Sequence, residues 1–476
     1  MHFSIKVPGA KQEGTLLVTS PFDGSEVGSV ATVGLSGVDQ ALSNCETLFH
    51  SRSTWLSAEQ RADILEDAAR LMASRYEQLI SVAIAEGGKP YRDTEAELSR
   101  AIDGLKSCRE CIRSHQGSEI PMQLNKASLN RLAFTHREPI GPVVAISAFN
   151  HPINLIIHQV GPAIASGCPV IIKPAEKTPL SAFLLVDILR EAGLPDVWCQ
   201  PLLTEDLDVA EALVTDPRVA FFSFIGSAKV GWHLRSRLAP GVRCALEHGG
   251  SAPVVVAEDA DLDAMLPLLI KGSFYHAGQV CVSVQRIYAH RSIARKLAEG
   301  LIQLADALIV GNPANLDTEV GPLIRPQEVD RVSSWVSEAI TEGAELLTGG
   351  KIISESLYSP TVLFNPAEKS KVSQQEIFGP VVCIYEFDEI EDAITRANAL
   401  PYAFQAAVMT RSIDTAFFAF KHIQASVVMI NDHTAFRVDW MPFGGLKQSG
   451  YGTGGIPYTY RDMQIEKMAV FHSSTL

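Results

Sequence analysis

The spacing of apolar positions in the first third of the chain predicts two long helices and an arm. After a mixed segment at residues 1–57, apolar residues recur every three or four positions over Ala58–Ala85, which predicts one amphipathic helix ended by a Gly-Gly pair. A second helical pattern covers Thr94–Ser114. The polar stretch Gln116–Arg137 contains strand-like pieces and could form an arm that reaches another subunit.

From Gly141 onwards, short apolar runs alternate with helical patterns. The runs suited to buried parallel strands are Pro142–Ala148, Pro169–Lys173, residues 198–203, Val219–Phe224 and Val242–Glu247. The helical patterns between them are Ile153–Ser166, Leu180–Ala192, Glu205–Thr215 and a helix that opens at Gly226–Gly231. This βαβαβ order predicts an α/β fold, with a parallel sheet that carries helices on both faces.

A second α/β unit begins near Gly249. It contains predicted strands at Pro253–Val256 and Val284–His290, predicted helices at Asp261–Ala277, Ser292–Ala307 and Ile390–Ala399, and further strand-like runs VVCIYE, AAVMT and SVVMI. The C-terminal stretch PFGGLKQSGYGTGG is too rich in glycine for regular structure. The final run KMAVFH is strand-like and could pair with another chain.

Length and charge narrow the class of protein. A chain of 476 residues predicts two or three domains, and 40 Lys+Arg against 54 Asp+Glu argue against a general binder of nucleic acid or anionic membranes. The absence of a signal peptide and of an apolar run of membrane-spanning length, together with eight scattered cysteines, predicts a reduced, cytoplasmic protein. Cys108 and Cys111 form a CxxC on one helix face, but nothing nearby completes a metal site, so no metal is expected.

The stretch FYHAGQVCVS, residues 274–283, places one thiol, Cys281, between a predicted helix and a predicted strand. A cysteine at such a junction can be held rigidly and still be reached by a ligand. A lone cysteine is nevertheless more often a small buried hydrophobe, so Cys281 alone does not indicate chemistry.

Polar residues follow several predicted strands, where a parallel sheet binds its ligands. Asn150 follows the first strand, and Lys173 and Glu176 accompany the second. The motif GSAKVG follows the fourth predicted strand and forms a Gly-Ser turn into a helix. The N-terminus of such a helix suits a pyrophosphate. Glu176 could hold ribose hydroxyls and would repel a 2′-phosphate, or it could be an exposed loop acid. Glu247 ends the fifth strand before a Gly pair, as either a general base or a capping acid.

Seven motifs occur in one order: FNHP, IIKPAEKTP, GSAKVG, EHGGSAP, GQVCVS, QEIFGPV and PFGGLKQSGYG. Together they closely resemble the aldehyde dehydrogenase superfamily over almost the whole chain. The resemblance implies a Rossmann-type cofactor-binding domain at residues 1–115 and 138–248, and an α/β catalytic domain at residues 249–448. It also implies a small β arm for oligomerisation at residues 116–137 and 449–476, and a homodimer or homotetramer.

The resemblance also implies catalytic roles. Cys281 matches the nucleophile that attacks the aldehyde carbon, and Asn150 matches the donor that binds the oxyanion together with the backbone N–H of Cys281. Glu247 matches the base that activates water to hydrolyse the thioester. The presence of Glu247 argues against the first alternative, an enzyme of the CoA-acylating branch. The second alternative is a non-catalytic protein on the same fold, and the presence of Cys281, Asn150 and Glu247 together argues against it.

The cofactor implied by the resemblance is NAD, with NADP possible because Lys177 lies beside Glu176. The residues that match its binding site are Ser147, Lys173, Glu176, Gly226, Ser227, Glu376 and Phe378. Two positions depart from the commoner pattern: His248 stands where Leu is usual, and Lys229 where Glu is usual. Neither departure removes a chemical group from the scheme.

Two histidines and an arginine stand among the residues that match the substrate tunnel, where Phe, Trp or Met is common in families that take aromatic or long alkyl aldehydes. The candidates are Arg100, His151, His158, Arg437 and Phe443. They predict a short aldehyde with a polar or anionic tail, such as a carboxylate, phosphate, phosphonate or sulfonate. FNHP and FRVDWMPFGG are similar to the branch that includes phosphonoacetaldehyde and lactaldehyde dehydrogenases. In the alternative interpretation, Arg437 pairs with Asp432 or Asp439 and serves only its loop.

Overall fold

The computed structural model describes residues 1–114 and 116–476. The strands are β1 (His2–Phe3), β2 (Gly14–Thr19), β3 (Glu26–Thr32), β4 (Glu119–Ile120), β5 (Arg131–Pro139), β6 (Val143–Ile146), β7 (Val170–Lys173), β8 (Cys199–Pro201), β9 (Phe221–Ile225), β10 (Arg243–Glu247), β11 (Ala252–Val256), β12 (Val284–His290), β13 (Glu345–Thr348), β14 (Thr361–Phe364), β15 (Val381–Phe387), β16 (Tyr402–Ala403), β17 (Gln405–Met409), β18 (Val427–Ile430), β19 (Leu446–Lys447), β20 (Gly450–Tyr451) and β21 (Gln464–His472).

The helices are α1 (Leu35–His50), α2 (Ala58–Ser74), α3 (Tyr76–Gly87), α4 (Tyr91–Arg113), α5 (Asn154–Ser166), α6 (Leu180–Glu191), α7 (Leu207–Thr215), α8 (Ala228–Ser236), α9 (Leu262–Phe274), α10 (Arg291–Asp306), α11 (Pro326–Thr341), α12 (Lys371–Gln374), α13 (Ile390–Asn398), α14 (Ile413–His422) and α15 (Ile456–Asp462). None of these helices is long and apolar enough to cross a membrane.

The first sheet confirms the predicted βαβαβ unit. Its order is β20-β10-β9-β6-β7-β8, and all pairs are parallel except the short edge strand β20. The residues of β7 are all buried because helices cover both faces of the sheet. The carboxyl ends of β6, β7, β9 and β10 therefore meet at one edge, where polar side chains from different strands converge.

The second sheet has the order β13-β14-β15-β12-β11-β17-β18 and is parallel apart from β13. Its core is the largest buried cluster, formed around side chains such as Val254, Ile287, Tyr288 and Ile384. Cys281 lies in the loop that leads into β12, at the edge of this sheet that faces the first one. The α/β class is thus confirmed.

The third sheet, β21-β5-β4, is the predicted arm. β21 pairs antiparallel with β5 along its whole length, so KMAVFH finds a partner strand within its own chain. The division into three domains stays a prediction, and His115 at its first boundary lies outside the described residues.

The predicted helix over Ala58–Ala85 was wrong as a single element. The chain breaks at Arg75, whose φ of −109° and ψ of 26° are not helical, and continues as α3. One residue out of helical geometry hardly disturbs the apolar spacing, which hides the break in the sequence. The helix predicted to reach Ala277 ends at Phe274, because His276 and Ala277 have φ of +48° and +55°.

Some regular structure was not predicted. The mixed segment at residues 1–57 forms β1–β3 and α1, and α11 lies in a part of the second unit for which no helix was predicted. The glycine-rich stretch at residues 442–455 holds β19 and β20, so it is not devoid of regular structure. Elements of two residues leave no periodicity in a sequence.

Candidate active site

Cys281 lies among apolar side chains in a tightly turned loop. Val280, Val282, Phe404 and Phe443 form a small buried cluster against which Cys281 packs. Burial raises the pKa of the thiol to about 12, and the positive charge of Arg437 opposes that shift. The thiol is therefore protonated at neutral pH in the free protein, and a nearby cation is needed to bring its pKa down.

Asn150 follows β6 and is buried beside the cysteine loop. Its Nδ2 donates a hydrogen bond of 2.9 Å to the main-chain oxygen of Gln279, two residues before Cys281. The Gln279 side chain is itself fixed, since it donates to Pro322 O and accepts from Ile324 N. The amide of Asn150 is thus held next to the thiol, where it can donate to an oxygen on a carbon bound to sulfur.

Lys89 and Glu97 form a fully buried ion pair behind Asn150. The Nζ of Lys89 also donates to the main-chain oxygen of Asn150 and to Nδ1 of His151, at 2.9 Å each. Glu97 Oε1 accepts from the backbone N–H groups at 153 and 154, at 2.8 and 2.9 Å, and so caps α5. Sequence reasoning missed this pair because charges on an amphipathic helix usually face solvent.

Glu247 ends β10, where it pairs with Ile225 on one side and Gly450 on the other. A Cβ atom at Gly454 would collide with its Oε1, so the carboxylate lies against the glycine-rich segment. Burial raises the pKa of Glu247, and Arg437 opposes the shift. Glu247 also acts electrostatically on Cys281, so carboxylate and thiol share one space. A half-buried carboxyl with a raised pKa accepts a proton more readily than an exposed one.

Arg437 is the cation of this space. Its guanidinium lies over the ring of Phe443 at 3.5 Å, and its Nη2 donates to Nδ1 of His158 at 3.2 Å. Its Nε is buried and has no hydrogen-bond partner in the described part of the chain. Burial lowers the pKa of Arg437, against the effect of Glu247, yet a guanidinium remains charged.

The alternative role of Arg437, pairing only within its loop, finds no support. Asp439 pairs instead with Arg100 at 2.6 Å, and Asp432 accepts from the backbone of His433 at 2.7 Å. Among residues 1–114 and 116–476, no carboxylate lies within salt-bridge distance of Arg437. A half-buried cation beside a thiol, with no carboxylate partner among the described residues, can bind an anion.

The other substrate candidates lie behind Arg437 and Phe443. His158 sits between Asp439 and Arg437, and Arg100 is held by Asp439. His151 accepts from Lys89 and stacks on Tyr275 with ring centroids 5.8 Å apart, while Phe443 packs on Phe404 at 4.5 Å. Of the five substrate candidates, Arg437 and Phe443 lie near Cys281. The polar atoms of Arg100, His151 and His158 make hydrogen bonds within the protein instead.

The strand ends of the first sheet can hold the adenosine part of a dinucleotide. Lys173 and Glu176 form an ion pair; burial alone would raise the pKa of Glu176, but Lys173 outweighs it and the pKa is lowered. Gly226 and Ser227 precede α8, whose first backbone N–H groups point toward the same edge. A carboxylate beside an ammonium and a helix N-terminus suit ribose hydroxyls and a pyrophosphate.

Three further residues that the resemblance assigns to the cofactor site are Ser147, Glu376 and Phe378. The hydroxyl of Ser147 and Oε1 of Glu376 are buried without a hydrogen-bond partner among the described residues. Glu376 lies against Gly249, and burial raises its pKa to about 8. Phe378 has a φ of +48° and packs edge-on against Phe149, with centroids 5.9 Å apart. Orphaned oxygens of this kind fit the hydroxyls of a bound nucleotide.

Comparison with known proteins adds independent findings. The sequence profile of the Aldehyde dehydrogenase family matches residues 9–468. The 3-sulfolactaldehyde dehydrogenase of Priestia aryabhattai is 40% identical over 417 residues, which are 87% of this chain and 87% of that protein.

Two solved structures are similar to the whole fold. Aldehyde dehydrogenase 21 from Physcomitrella patens, in complex with its product succinate, superposes with a TM-score of 0.95 at 32% identity and covers 100% of this chain and 99% of its own. Glyceraldehyde-3-phosphate dehydrogenase from Methanocaldococcus jannaschii, complexed with NADP, superposes with a TM-score of 0.92 at 33% identity. The match covers 97% of this chain and 100% of that protein.

Proposed function

This chain belongs to the aldehyde dehydrogenase family and is an NAD(P)-dependent oxidoreductase, and we propose that it oxidises a small anionic aldehyde to its carboxylic acid through a cysteine thioester. The observation that carries the proposal is the unpaired guanidinium of Arg437 in the space shared by Cys281 and Glu247. It offers a positive charge a short distance from the proposed nucleophile, where the tail of a short aldehyde would lie.

In the first half of the reaction, the Cys281 thiol loses its proton to water, its sulfur bonds to the aldehyde carbon, and the carbonyl oxygen becomes an oxyanion that re-forms the C=O bond when the hydride leaves. The amide of Asn150 and the backbone N–H of Cys281 donate to that oxygen. NAD or NADP, when bound, accepts the hydride that leaves the former carbonyl carbon. Ser147, Lys173, Glu176, Gly226, Ser227, Glu376 and Phe378 would hold the cofactor.

In the second half, Glu247 takes a proton from water, and the resulting hydroxide attacks the thioester carbon. The carbon–sulfur bond breaks, the acid leaves, and the proton held by Glu247 passes to the sulfur of Cys281. Because burial raises the pKa of Glu247, its carboxylate holds that proton more readily than an exposed carboxylate would. The presence of this carboxylate beside Cys281 argues against release by coenzyme A, and the convergence of all three groups argues against a non-catalytic protein.

The names of the similar proteins support an anionic tail. They refer to a sulfonate, to the dicarboxylate succinate and to a phosphate, on three aldehyde dehydrogenases. A guanidinium binds each of these groups through paired N–H donors. The orphaned Nε of Arg437 is one such donor.

An aldehyde panel tests the proposal by absorbance of NADH and NADPH. We expect succinic semialdehyde, sulfoacetaldehyde and glyceraldehyde 3-phosphate to exceed butanal and benzaldehyde in kcat/KM, and Cys281→Ser to abolish turnover. Arg437→Met should remove the preference for anions, whereas the exposed Arg411→Met should not. Faster turnover of butanal or benzaldehyde, with no change in Arg437→Met, would contradict an anionic substrate.

We also propose a homodimer or homotetramer assembled through the arm. Apolar side chains exposed on β5 and β21 support it: Leu132, Phe134, Met468, Val470 and Phe471. Exposed apolar patches of this kind commonly mark interfaces. Light scattering should give a mass of two or four chains, and a monomer would contradict the assembly. A cytoplasmic location stays a prediction from the sequence.

A further inference from the structure

We infer that His158 and Asp439 are positioning residues that orient the Arg437 guanidinium and thereby determine specificity for anionic aldehydes. The inference rests on the proposed function, since it assigns a cause to the binding of the anionic tail. Neither residue needs to touch the substrate. Their effect passes through one chain of hydrogen bonds that joins α4, α5 and the loop before PFGG.

The chain begins at Asp439, which is buried to 2% exposure. Arg100 binds its carboxylate with two donors, Nη2 to Oδ1 at 2.6 Å and Nε to Oδ2 at 3.2 Å. Asn154 adds a third donor at 3.2 Å. Burial would raise the pKa of Asp439, but His158 and Arg100 outweigh it and hold the pKa well below its usual range. Asp439 is therefore a fixed anion that only accepts.

The next member is His158, at 3% exposure. Its Nε2 lies 2.7 Å from Oδ1 of Asp439, so this nitrogen carries the proton. In a neutral imidazole the other nitrogen, Nδ1, is then an acceptor, and it receives the Nη2 donor of Arg437 at 3.2 Å. A second proton would set two cations face to face, and burial together with Arg437 lowers the pKa of His158 to about 4.

This arrangement restricts the guanidinium from two sides. His158 holds one terminal nitrogen, and Phe443 supports the flat face at 3.5 Å. The Nε donor stays without a hydrogen-bond partner among the described residues. Glu247 attracts Arg437 from the same space. Without the acceptor on His158, Arg437 would be free to turn toward Glu247, which would neutralise the proposed base and withdraw the donor from a substrate tail.

Paired substrates separate positioning from simple support of the fold. Succinic semialdehyde and butanal have the same carbon count and differ in the carboxylate. We expect Asp439→Asn and His158→Leu to raise KM for succinic semialdehyde by at least about tenfold, as expected for loss of a charge-assisted contact, while KM for butanal changes far less. His158→Gln keeps one donor and one acceptor and should retain most of the preference.

Asp432→Asn is the matched control, because it makes the same charge change on the same loop, and within residues 1–114 and 116–476 the Asp432 carboxylate has its hydrogen bond and ion pair with His433 alone. It should keep wild-type KM values for both aldehydes. Unfolding temperatures of all variants report whether they fold. An equal rise in both KM values for Asp439→Asn and His158→Leu, or no rise, would overturn the positioning role and leave Asp439 as a structural residue.

Alkylation of Cys281 tests the positioning role without turnover, so it also applies to variants that lose activity. Iodoacetate and iodoacetamide alkylate the same thiol, and only iodoacetate is anionic, so the ratio of their rates at Cys281 reports the pull of Arg437. The ratio should fall in His158→Leu and stay high in His158→Gln. If Arg437→Met lowers both the ratio and the preference for anionic aldehydes but His158→Leu lowers neither, the positioning role is contradicted and the anionic substrate stands. If Arg437→Met also changes neither quantity, both the positioning role and the anionic substrate are contradicted.

Discussion

Asn150 donates its side-chain amide to the main-chain oxygen of Gln279 at 2.9 Å. Asn150 follows a strand of the first sheet, whereas Gln279 belongs to the loop of Cys281 at the edge of the second. This one hydrogen bond therefore links the proposed oxyanion donor to the loop of the proposed nucleophile. The geometry of the reacting groups depends on how the two sheets meet.

Asn150→Ala removes the proposed donor to the oxyanion. We expect kcat to fall by about 10²–10³-fold, the usual loss for one oxyanion donor, with a smaller change in KM. Steady-state NADH formation measures both constants. Asn125→Ala, in the exposed turn before β5, is the control and should match wild type. A kcat within about threefold of wild type would remove Asn150 from the reaction.

Lys89→Met breaks a buried ion pair and leaves Glu97 as an unpaired charge, with both side chains at 1% exposure. Removing one partner of such a pair costs about 3–5 kcal/mol in the free energy of unfolding. Urea unfolding should give that loss, and kcat should also fall because Lys89 holds the oxygen of Asn150.

Lys371→Met is the matched control for the ion pair. Lys371 pairs with Glu338 at the surface, with 44% of its side chain exposed, and such pairs contribute about 0–1 kcal/mol. Similar losses in the free energy of unfolding for Lys89→Met and Lys371→Met would mean that the buried pair of Lys89 and Glu97 does not support the site.

The positions of the site residues at element boundaries could be predicted from the sequence, because strands and helix starts carry strong local patterns, whereas their catalytic roles came from the resemblance to the aldehyde dehydrogenase superfamily and stay a prediction. Cys281, Asn150 and Glu247 each stand at an element boundary that apolar spacing marks. The pair of Lys89 and Glu97 could not be predicted, since its burial depends on α4 packing against α5.

The hydrogen-bond chain through Asp439 shows the same limit. Arg100 and Asp439 are 339 positions apart, and nothing local indicates that they meet. The sequence left Arg437 with two possible carboxylate partners. Only the packing of three separate segments determines that Asp439 binds Arg100 and His158 instead.

The reactivity of Cys281 should rise steadily with pH in the free enzyme. Burial raises its pKa to about 12, so the reactive thiolate is a small fraction that grows about tenfold per pH unit below that value. Inactivation by iodoacetamide between pH 7 and 9 should show no plateau. Arg437→Met should be slower at each pH, because a lost cation raises the pKa further. A plateau near pH 8 would show that the thiol is already ionised.

Glu176 should set the preference between the two cofactors. Its carboxylate, paired with Lys173, would repel a 2′-phosphate. Glu176→Ser removes the negative charge and frees the ammonium, so kcat/KM for NADP relative to NAD should rise at least about tenfold. The exposed Glu258→Ser is the control and should leave the ratio unchanged. An unchanged ratio in Glu176→Ser would place the discriminating contact elsewhere.

Glu247→Gln should separate the two halves of the reaction. The amide keeps the size of the side chain but cannot take a proton from water, so the thioester should form and then persist. Mixing enzyme with NAD and succinic semialdehyde should give a burst of about one NADH per active site, followed by a much slower steady rate. Glu211→Gln, which alters a surface carboxylate paired with His233, should show neither.

Coenzyme A distinguishes the remaining alternative. A hydrolytic enzyme with Glu247 as its base should not be accelerated by coenzyme A, in wild type or in Glu247→Gln. Acceleration of wild type, with an acyl-coenzyme A product by mass spectrometry, would identify a CoA-acylating enzyme.

Since burial raises the pKa of Glu247 and Arg437 opposes this, Arg437→Met should move the acidic limb of the hydrolysis rate to higher pH. An unmoved limb would mean that Arg437 does not act on the base.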